Sequence, residues 1–287
     1  MTINIMSDSG CDLPQELIET YNINIIPIFV LEGEKEYLDK IDITPEKVFN
    51  DMKEGKVYKT AQITPEIFIN HFREYAKKDE GVIYLSLSGG LSGTYGSALI
   101  AKGAVESEYP NADITVIDSK AVSGGQGFIV LEAAKMVKNN IEKEKIIERI
   151  NKMTENIEHI FTIDDMEYLY RGGRISKAQN LIGGLLSIKP VLWVNDGILE
   201  PLEKVRGKNK VLKVIIDIIK KTKGDTDLKK QSIIISHAND IESALKLKDM
   251  MIEEFGIDEP LINTIGAVIG AHAGPGTVAV FFLKENI

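Results

Sequence analysis

VIYLSLSGGLSGTYGSA, Val82–Ala98, is the stretch that decides the fold. Its first four residues, Val82, Ile83, Tyr84 and Leu85, are an uninterrupted apolar run and read as a buried strand. Three glycines and three hydroxyl residues then crowd into Ser88–Thr94, and Tyr95–Ser107 that follows is competent to form a helix. A strand, a glycine- and hydroxyl-rich loop and a helix start together make an anion cradle. The first turn of a helix carries backbone N–H groups without intrahelical partners, at the positive end of the dipole. Glycine lets a ligand approach the backbone, and serine and threonine add neutral donors. One hydroxyl, Ser88 or Ser92, is enough to cap the helix, so the density of small polar residues exceeds what capping needs. The loop suits a carboxylate or a phosphate.

The specific phosphate and nucleophile motifs are absent from this loop. It has no lysine, as a P-loop requires, and Gly90-Leu91-Ser92-Gly93 breaks the G-x-G-x-x-G spacing. The nucleophile elbow G-x-S-x-G is matched up to Gly93, but Thr94 replaces the last glycine.

Outward from the loop, apolar runs alternate with amphipathic stretches, the pattern of an α/β protein. Strands are predicted at Ile3–Met6, Ile25–Val30, Val82–Leu85 and Ile114–Ile117, and helices at Pro14–Tyr21, Pro45–Met52, Pro65–Lys77, Tyr95–Ser107 and Gln126–Asn139. Asp12, Thr44 and Thr64 each stand ahead of a proline and are read as helix caps. This half reads as a doubly wound parallel α/β/α sheet, which binds ligands beyond the carboxyl ends of its strands.

The charged helix Ile141–Thr154 joins it to a second half, with strands near Ile160–Ile163, Ile188–Val194, Ile198–Val205, Ile233–Ser236 and Val278–Leu283. Asn195-Asp196-Gly197 is a hairpin signal, so the second sheet is mixed; Val211–Lys221 and Ile241–Phe255 read as its helices. We place an N-terminal α/β domain at 1–155 and a C-terminal mixed-sheet α/β domain at 156–287.

Composition narrows the function. The 287 residues carry a net charge of −9, which argues against nucleic-acid binding through phosphate neutralisation. The single Cys11 rules out an intrachain disulfide. The N-terminus lacks the basic and apolar regions of a signal peptide. Thr264–Leu283 runs twenty residues without a charged side chain, but His272 and Gly274-Pro275-Gly276 would break a spanning helix. It is read as a loop and a buried strand, and the location expected is cytoplasmic.

Among the four histidines, His71, His159, His237 and His272, no pair has metal-ligand spacing, and no metal is expected. His71 is read as a surface residue and His237 as a structural or cleft residue. His272, among small residues from Gly270 to Gly276, leaves room for a ligand. The basic clusters Arg171–Arg174 and Lys204–Lys208 suggest anion or partner contacts in an acidic chain.

Six segments together resemble the DegV family, whose members bind fatty acids. They are DSGCDLP at Asp8–Pro14, KTAQ at Lys59–Gln62, LSGTYGSA at Leu91–Ala98, RGGRIS at Arg171–Ser176, IKPVL at Ile188–Leu192 and IGAVIGAHAGPG at Ile265–Gly276. The resemblance implies two α/β domains with a buried acyl chain. It implies that Thr60 and Ser92 hold the carboxylate, with Gly93 and Thr94 of the same motif in the ligand site and His272 near the head group. Arg174 and Arg206 match family arginines implied to meet an acyl-phosphate or a partner kinase. Two positions depart from the family pattern: T-S-Q is Thr60-Ala61-Gln62, and S-S is Ser88-Gly89.

The resulting expectation is a protein that binds a long-chain fatty acid, without a cofactor, and presents it to a separate ATP-dependent fatty-acid kinase. It is not itself an enzyme, and transient membrane contact is compatible with this role. Two other readings use the same residues: a serine hydrolase with Ser92 as nucleophile and His272 as base, and a sugar- or nucleotide-phosphate binder using Arg174 and Arg206.

Overall fold

The computed structural model describes residues 2–174, 188–285 and 287, so the Ile175-Ser176 end of the RGGRIS segment lies outside the described residues. In chain order the elements are β1 (Ile3–Asp8), α1 (Gln15–Thr20), β2 (Asn24–Ile26), β3 (Phe29–Glu32), β4 (Lys35–Leu38), α2 (Pro45–Lys53), β5 (Lys59–Ala61), α3 (Pro65–Lys77), β6 (Gly81–Ser86), α4 (Thr94–Glu108), β7 (Ile114–Asp118), α5 (Gly124–Lys138) and α6 (Lys143–Asn156). Then follow β8 (Ile157–Thr162), α7 (Glu167–Arg171), β9 (Ile188–Asn195), β10 (Ile198–Arg206), α8 (Lys208–Thr222), β11 (Ile234–His237), α9 (Ile241–Phe255), β12 (Leu261–Thr264), α10 (Ala267–Ala273) and β13 (Val278–Leu283).

The first sheet has the order β2-β1-β6-β7 and is parallel throughout. Every residue of β6 is buried, as expected for a parallel strand covered on both faces. Ile83 and Leu85 pack on one side against α5 and α6, while Val82 and Tyr84 pack on the other against α3 and α4. The second sheet is mixed, with the order β10-β9-β8-β13-β11-β12, and only β11 and β12 run parallel. Its outer face packs on α8 and α9. Its inner face, with Phe161, Leu192, Ala279 and Phe281, joins the cluster that covers α5 of the first sheet. One continuous core therefore runs between the two sheets, with Ile146, Ile150 and Met153 of α6 in it, while residue 155 is an exposed position in the last turn of α6.

The hairpin is confirmed. Asp196 and Gly197 have φ of 47° and 80°, the paired positive values of a type I′ turn. Thr44 caps α2 by accepting from Lys47 N at 3.3 Å.

Other expectations need correction. Ile25–Val30 is not one strand: Pro27 has no N–H to continue a ladder, so β2 stays in the parallel sheet and β3 joins a small antiparallel sheet, β4-β3-β5. Lys59–Ala61, for which no element was predicted, forms the three-residue strand β5. Thr64 occupies the N-cap position of α3 without a side-chain bond. Asp12 is not the cap of α1; it has φ of 49°, and its carboxylate instead accepts from Ser123 Oγ at 2.6 Å. Thr264–Leu283 contains the helix α10 besides β13. Five of the seven α10 residues are buried, so the helix shows no polar face from which a 3.6-residue period could be read. Among the described residues no helix is long and apolar enough to cross a membrane.

Candidate functional site

The loop after β6 is fixed from its base. Asp8, at the end of β1, accepts from Leu87 N at 2.9 Å, Tyr84 Oη at 2.7 Å, Gln126 Nε2 at 3.1 Å and Gly10 N at 3.1 Å. Burial raises its pKa against the effect of these donors. Its two oxygens are thus committed to the fold rather than to a cation. Ser88 N then bonds Ala121 O at 3.0 Å, and Ser88 Oγ donates to Gly197 O at 2.6 Å in the β9–β10 hairpin. The second sheet therefore grips the loop of the first. Ser92 Oγ accepts from Thr94 N at 3.2 Å and lies 2.9 Å from Thr94 Oγ1, so it closes the first turn of α4.

Ser92 and Gly93 open onto a cavity of about 400 Å³ between the sheets. That volume is within the range of small-molecule sites. Thr60 reaches it from β5, His272 from the last turn of α10 and Arg174 from the segment after α7. Beyond this polar end the walls are largely apolar: Leu87, Val122, Phe161, Leu169, Leu199, Val268, Ala279 and Phe281 among others.

Thr60 Oγ1 and His272 Nε2 are 2.8 Å apart. His272 Nδ1 has no hydrogen-bond partner and lies against Gly172, which has no room for a Cβ. Burial, with the positive charge of Arg174, lowers the His272 pKa to about 4, so the ring is neutral at pH 7. Arg174 donates from Nε to Leu91 O at 2.9 Å and from Nη1 to Gly172 O at 2.6 Å. Its hydrogen bonds among the described residues go to carbonyls, not to a carboxylate. Desolvation lowers its pKa. A cation whose partners among the described residues are carbonyls thus stands at the polar end of an apolar cavity.

The structure brings Thr60, Ser92, Gly93 and His272 to one cavity, and adds Arg174 to them. Thr94 is buried one residue further on, as the first residue of α4. Arg206 is elsewhere. It is exposed at the far end of β10, eight residues from Ile198, or about 26 Å along the strand. Of the two arginines, Arg174 lines the cavity and Arg206 does not. Ser92 and His272 do not form a nucleophile–base pair either, because the Ser92 hydroxyl turns to Thr94 and His272 to Thr60. Two residues escaped sequence reasoning. Gln62 donates to Ser97 Oγ at 2.9 Å and covers Gly93 at the cavity mouth. His159 lines the wall on β8. Gln62 stands in the sequence reading only as the end of the KTAQ segment and His159 only among the four histidines, neither with a site role. His71 is partly buried on α3, and His237, at the end of β11, is not among the cavity-lining residues.

An α/β fold with a largely apolar cavity, its mouth carrying two hydroxyls, a neutral imidazole and an arginine, defines a candidate small-molecule site. The family model described as "Uncharacterised protein, DegV family" matches residues 2–285, and the chain belongs to the DegV family. It is 39% identical to a DegV domain-containing protein of Clostridium perfringens, over 98% of this chain and 97% of that one. The structure of a DegV family protein from Thermus thermophilus, described as fatty acid binding, superposes with a TM-score of 0.89 at 31% identity, covering 98% of this chain and 99% of that chain. A stearic acid-binding protein from Eubacterium ventriosum superposes with a TM-score of 0.91 at 27% identity, covering 98% of both chains.

Proposed function

We propose that the cavity binds a long-chain fatty acid with its carboxylate at Thr60 and Ser92. The supporting observation is the placement of those hydroxyls, with neutral His272, at the polar end of an otherwise apolar cavity of about 400 Å³. Burying about 14 methylenes at about 0.8 kcal/mol each gives roughly 11 kcal/mol before association costs. The head group then needs only orientation and replacement of its lost hydration. His272 supplies the orientation. With Nδ1 unpartnered, the Nε2–H tautomer donates to Thr60 Oγ1 and leaves the threonine proton free for the carboxylate. Arg174 places positive charge beside the anion and holds the Leu91 carbonyl of the loop. Ser92 bonds Thr94 and His272 bonds Thr60, an arrangement that favours binding over a nucleophile paired with a base.

In this reading the protein presents its fatty acid to a separate ATP-dependent kinase in the cytoplasm, and Arg206, away from the cavity, serves that partner. Mass spectrometry of lipid extracted from purified protein tests the binding: a long-chain fatty acid at near-stoichiometric yield is expected. Delipidated protein that ignores fatty acids at micromolar concentration overturns it. For the partner role, Arg206→Ala is expected to keep fatty-acid affinity and slow acyl-phosphate formation by the kinase. An unchanged rate overturns that assignment.

A further inference from the structure

The far end of the cavity has its own construction. Thr277, just before β13, and Ala279 and Phe281 along it face the cavity in alternation, as an extended chain requires. Thr277 marks the head-group end, because its hydroxyl bonds Ala273 O at 3.0 Å and Gly274 O at 2.8 Å where α10 ends beside His272. Phe281 is four residues on, about 13 Å along the strand. On the neighbouring strand β8, Phe161 stands opposite Ala279 and His159 opposite Phe281. The next rung in the same direction pairs Leu283 with Ile157; both are buried core residues, and neither lines the cavity. The cavity therefore ends on the His159–Phe281 rung.

That rung is braced against movement. The two rings meet edge to face with centroids 5.3 Å apart. His159 Nε2 accepts from Val122 N at 3.2 Å. The backbone of α5 begins with Gly124 and Gly125, and neither has room for a side chain. A Cβ on Gly124 would fall 2.7 Å from the Phe281 ring, and one on Gly125 would collide with the His159 ring. Both rings thus pack against the backbone of the first turn of α5, which leaves them little room to swing away for a longer ligand. His159 is buried with its pKa lowered to about 3 by desolvation, so this wall is uncharged, as a methyl terminus requires.

We propose that the His159–Phe281 rung is the stop that sets the length of acyl chain this protein accepts. The inference rests on the fatty-acid reading of the cavity. A rigid apolar wall discriminates by about tenfold or more for each methylene it excludes or leaves unfilled. Phe281→Leu removes the ring and opens space toward Leu283. Ala279→Leu, one rung nearer the head group, fills the channel earlier.

The test measures affinities of wild type and both variants for saturated acids from 12 to 20 carbons, beside the profile of lipids that co-purify. For Phe281→Leu the ratio of affinities for the longest to the 16-carbon acid should rise by about tenfold or more over wild type. For Ala279→Leu the preference should shift toward the shorter acids. Two variants with opposite expected shifts keep the test decisive where one fails to fold. If a folded variant binds fatty acids with the wild-type length profile, the stop is elsewhere and the proposal is overturned, while fatty-acid binding stands. If wild type binds no acid of any length, the fatty-acid reading itself fails, and the length stop with it.

Discussion

Thr60 Oγ1 lies 2.8 Å from His272 Nε2, although 212 positions separate them in the chain. The contact joins β5 of the small antiparallel sheet to the last turn of α10, and both side chains line the cavity mouth. If the imidazole orients the threonine hydroxyl toward a carboxylate, the two act as one unit. Thr60→Val and His272→Gln should each weaken fatty-acid binding by roughly 1.5–3 kcal/mol, about ten- to a hundredfold. The double variant should lose less than the sum. Calorimetric titration of the four proteins decides this, and strict additivity would break the pairing.

Ser92 has a second duty that Thr60 lacks. It accepts the free N–H of Thr94 at the start of α4. Ser92→Ala should therefore weaken both binding and the fold, the latter by about 1 kcal/mol. Thr60→Val should keep more of the wild-type stability. Denaturant unfolding of ligand-free protein separates the two effects; equal stabilities would show that the capping bond contributes nothing.

The hairpin contact predicts a mutation remote from the ligand. Gly197 has φ of 80°, and a Cβ there would lie 2.6 Å from Ser88 Oγ. Gly197→Ala strains the turn and pushes the loop that carries Ser92. A stability loss of about 1–3 kcal/mol is expected. Ser88→Ala removes the bond to Gly197 O without strain, and should release the loop and lower fatty-acid affinity while costing less stability. Wild-type affinity in Ser88→Ala would mean that the hairpin does not position the site.

The buried titrating groups give stability a pH dependence of mixed sign. His159 and His272 are lowered from 6.5 to about 3 and about 4 by burial. Their contribution is complete above pH 6.5 and is lost as pH falls toward those values, because the unfolded chain takes up the protons first. Asp12 is raised from 3.8 to about 7, chiefly by desolvation. Its contribution runs the other way: fully present below pH 3.8, and lost as pH rises through about 7. Asp8 and Asp39, raised by burial, act with Asp12. Between pH 6.5 and 5, then, His159→Gln should flatten the acid loss of stability and Asp12→Asn should steepen it. Denaturant titrations of the three proteins at these two pH values check the opposed signs; parallel changes in both variants would refute the assignment.

Where local chemistry dictated structure, the sequence was readable. The apolar run before Ser86, the prolines at Pro45 and Pro65 and the Asn195-Asp196-Gly197 turn each carry their rule within a few residues. α10 was hidden because a helix buried among Phe49, Tyr168 and Asp12 has no polar stripe. β5 was hidden because three residues are too few for a period. The residues of the mouth were named through their motifs, but their contact was not legible. No local rule brings Thr60 to His272. Arg174 stands in a basic cluster read as an anion or partner contact, and its guanidinium turns inward to the Leu91 carbonyl, a contact no local rule shows. Arg206, in a similar cluster, does stay outside.

Among the described residues β13 is the last strand, yet it sits in the middle of the second sheet between β8 and β11. It also floors the cavity through Ala279 and Phe281. During translation the chain therefore releases Thr60, Ser92 and even His272 before the strand that completes their pocket. Until it leaves the ribosome, β8 and β11 have open edges, and a captured acyl chain would have nothing beneath it. A chain cut before Val278 would lack this floor, so the proposed acyl site depends on a strand that lies beyond every residue of its mouth.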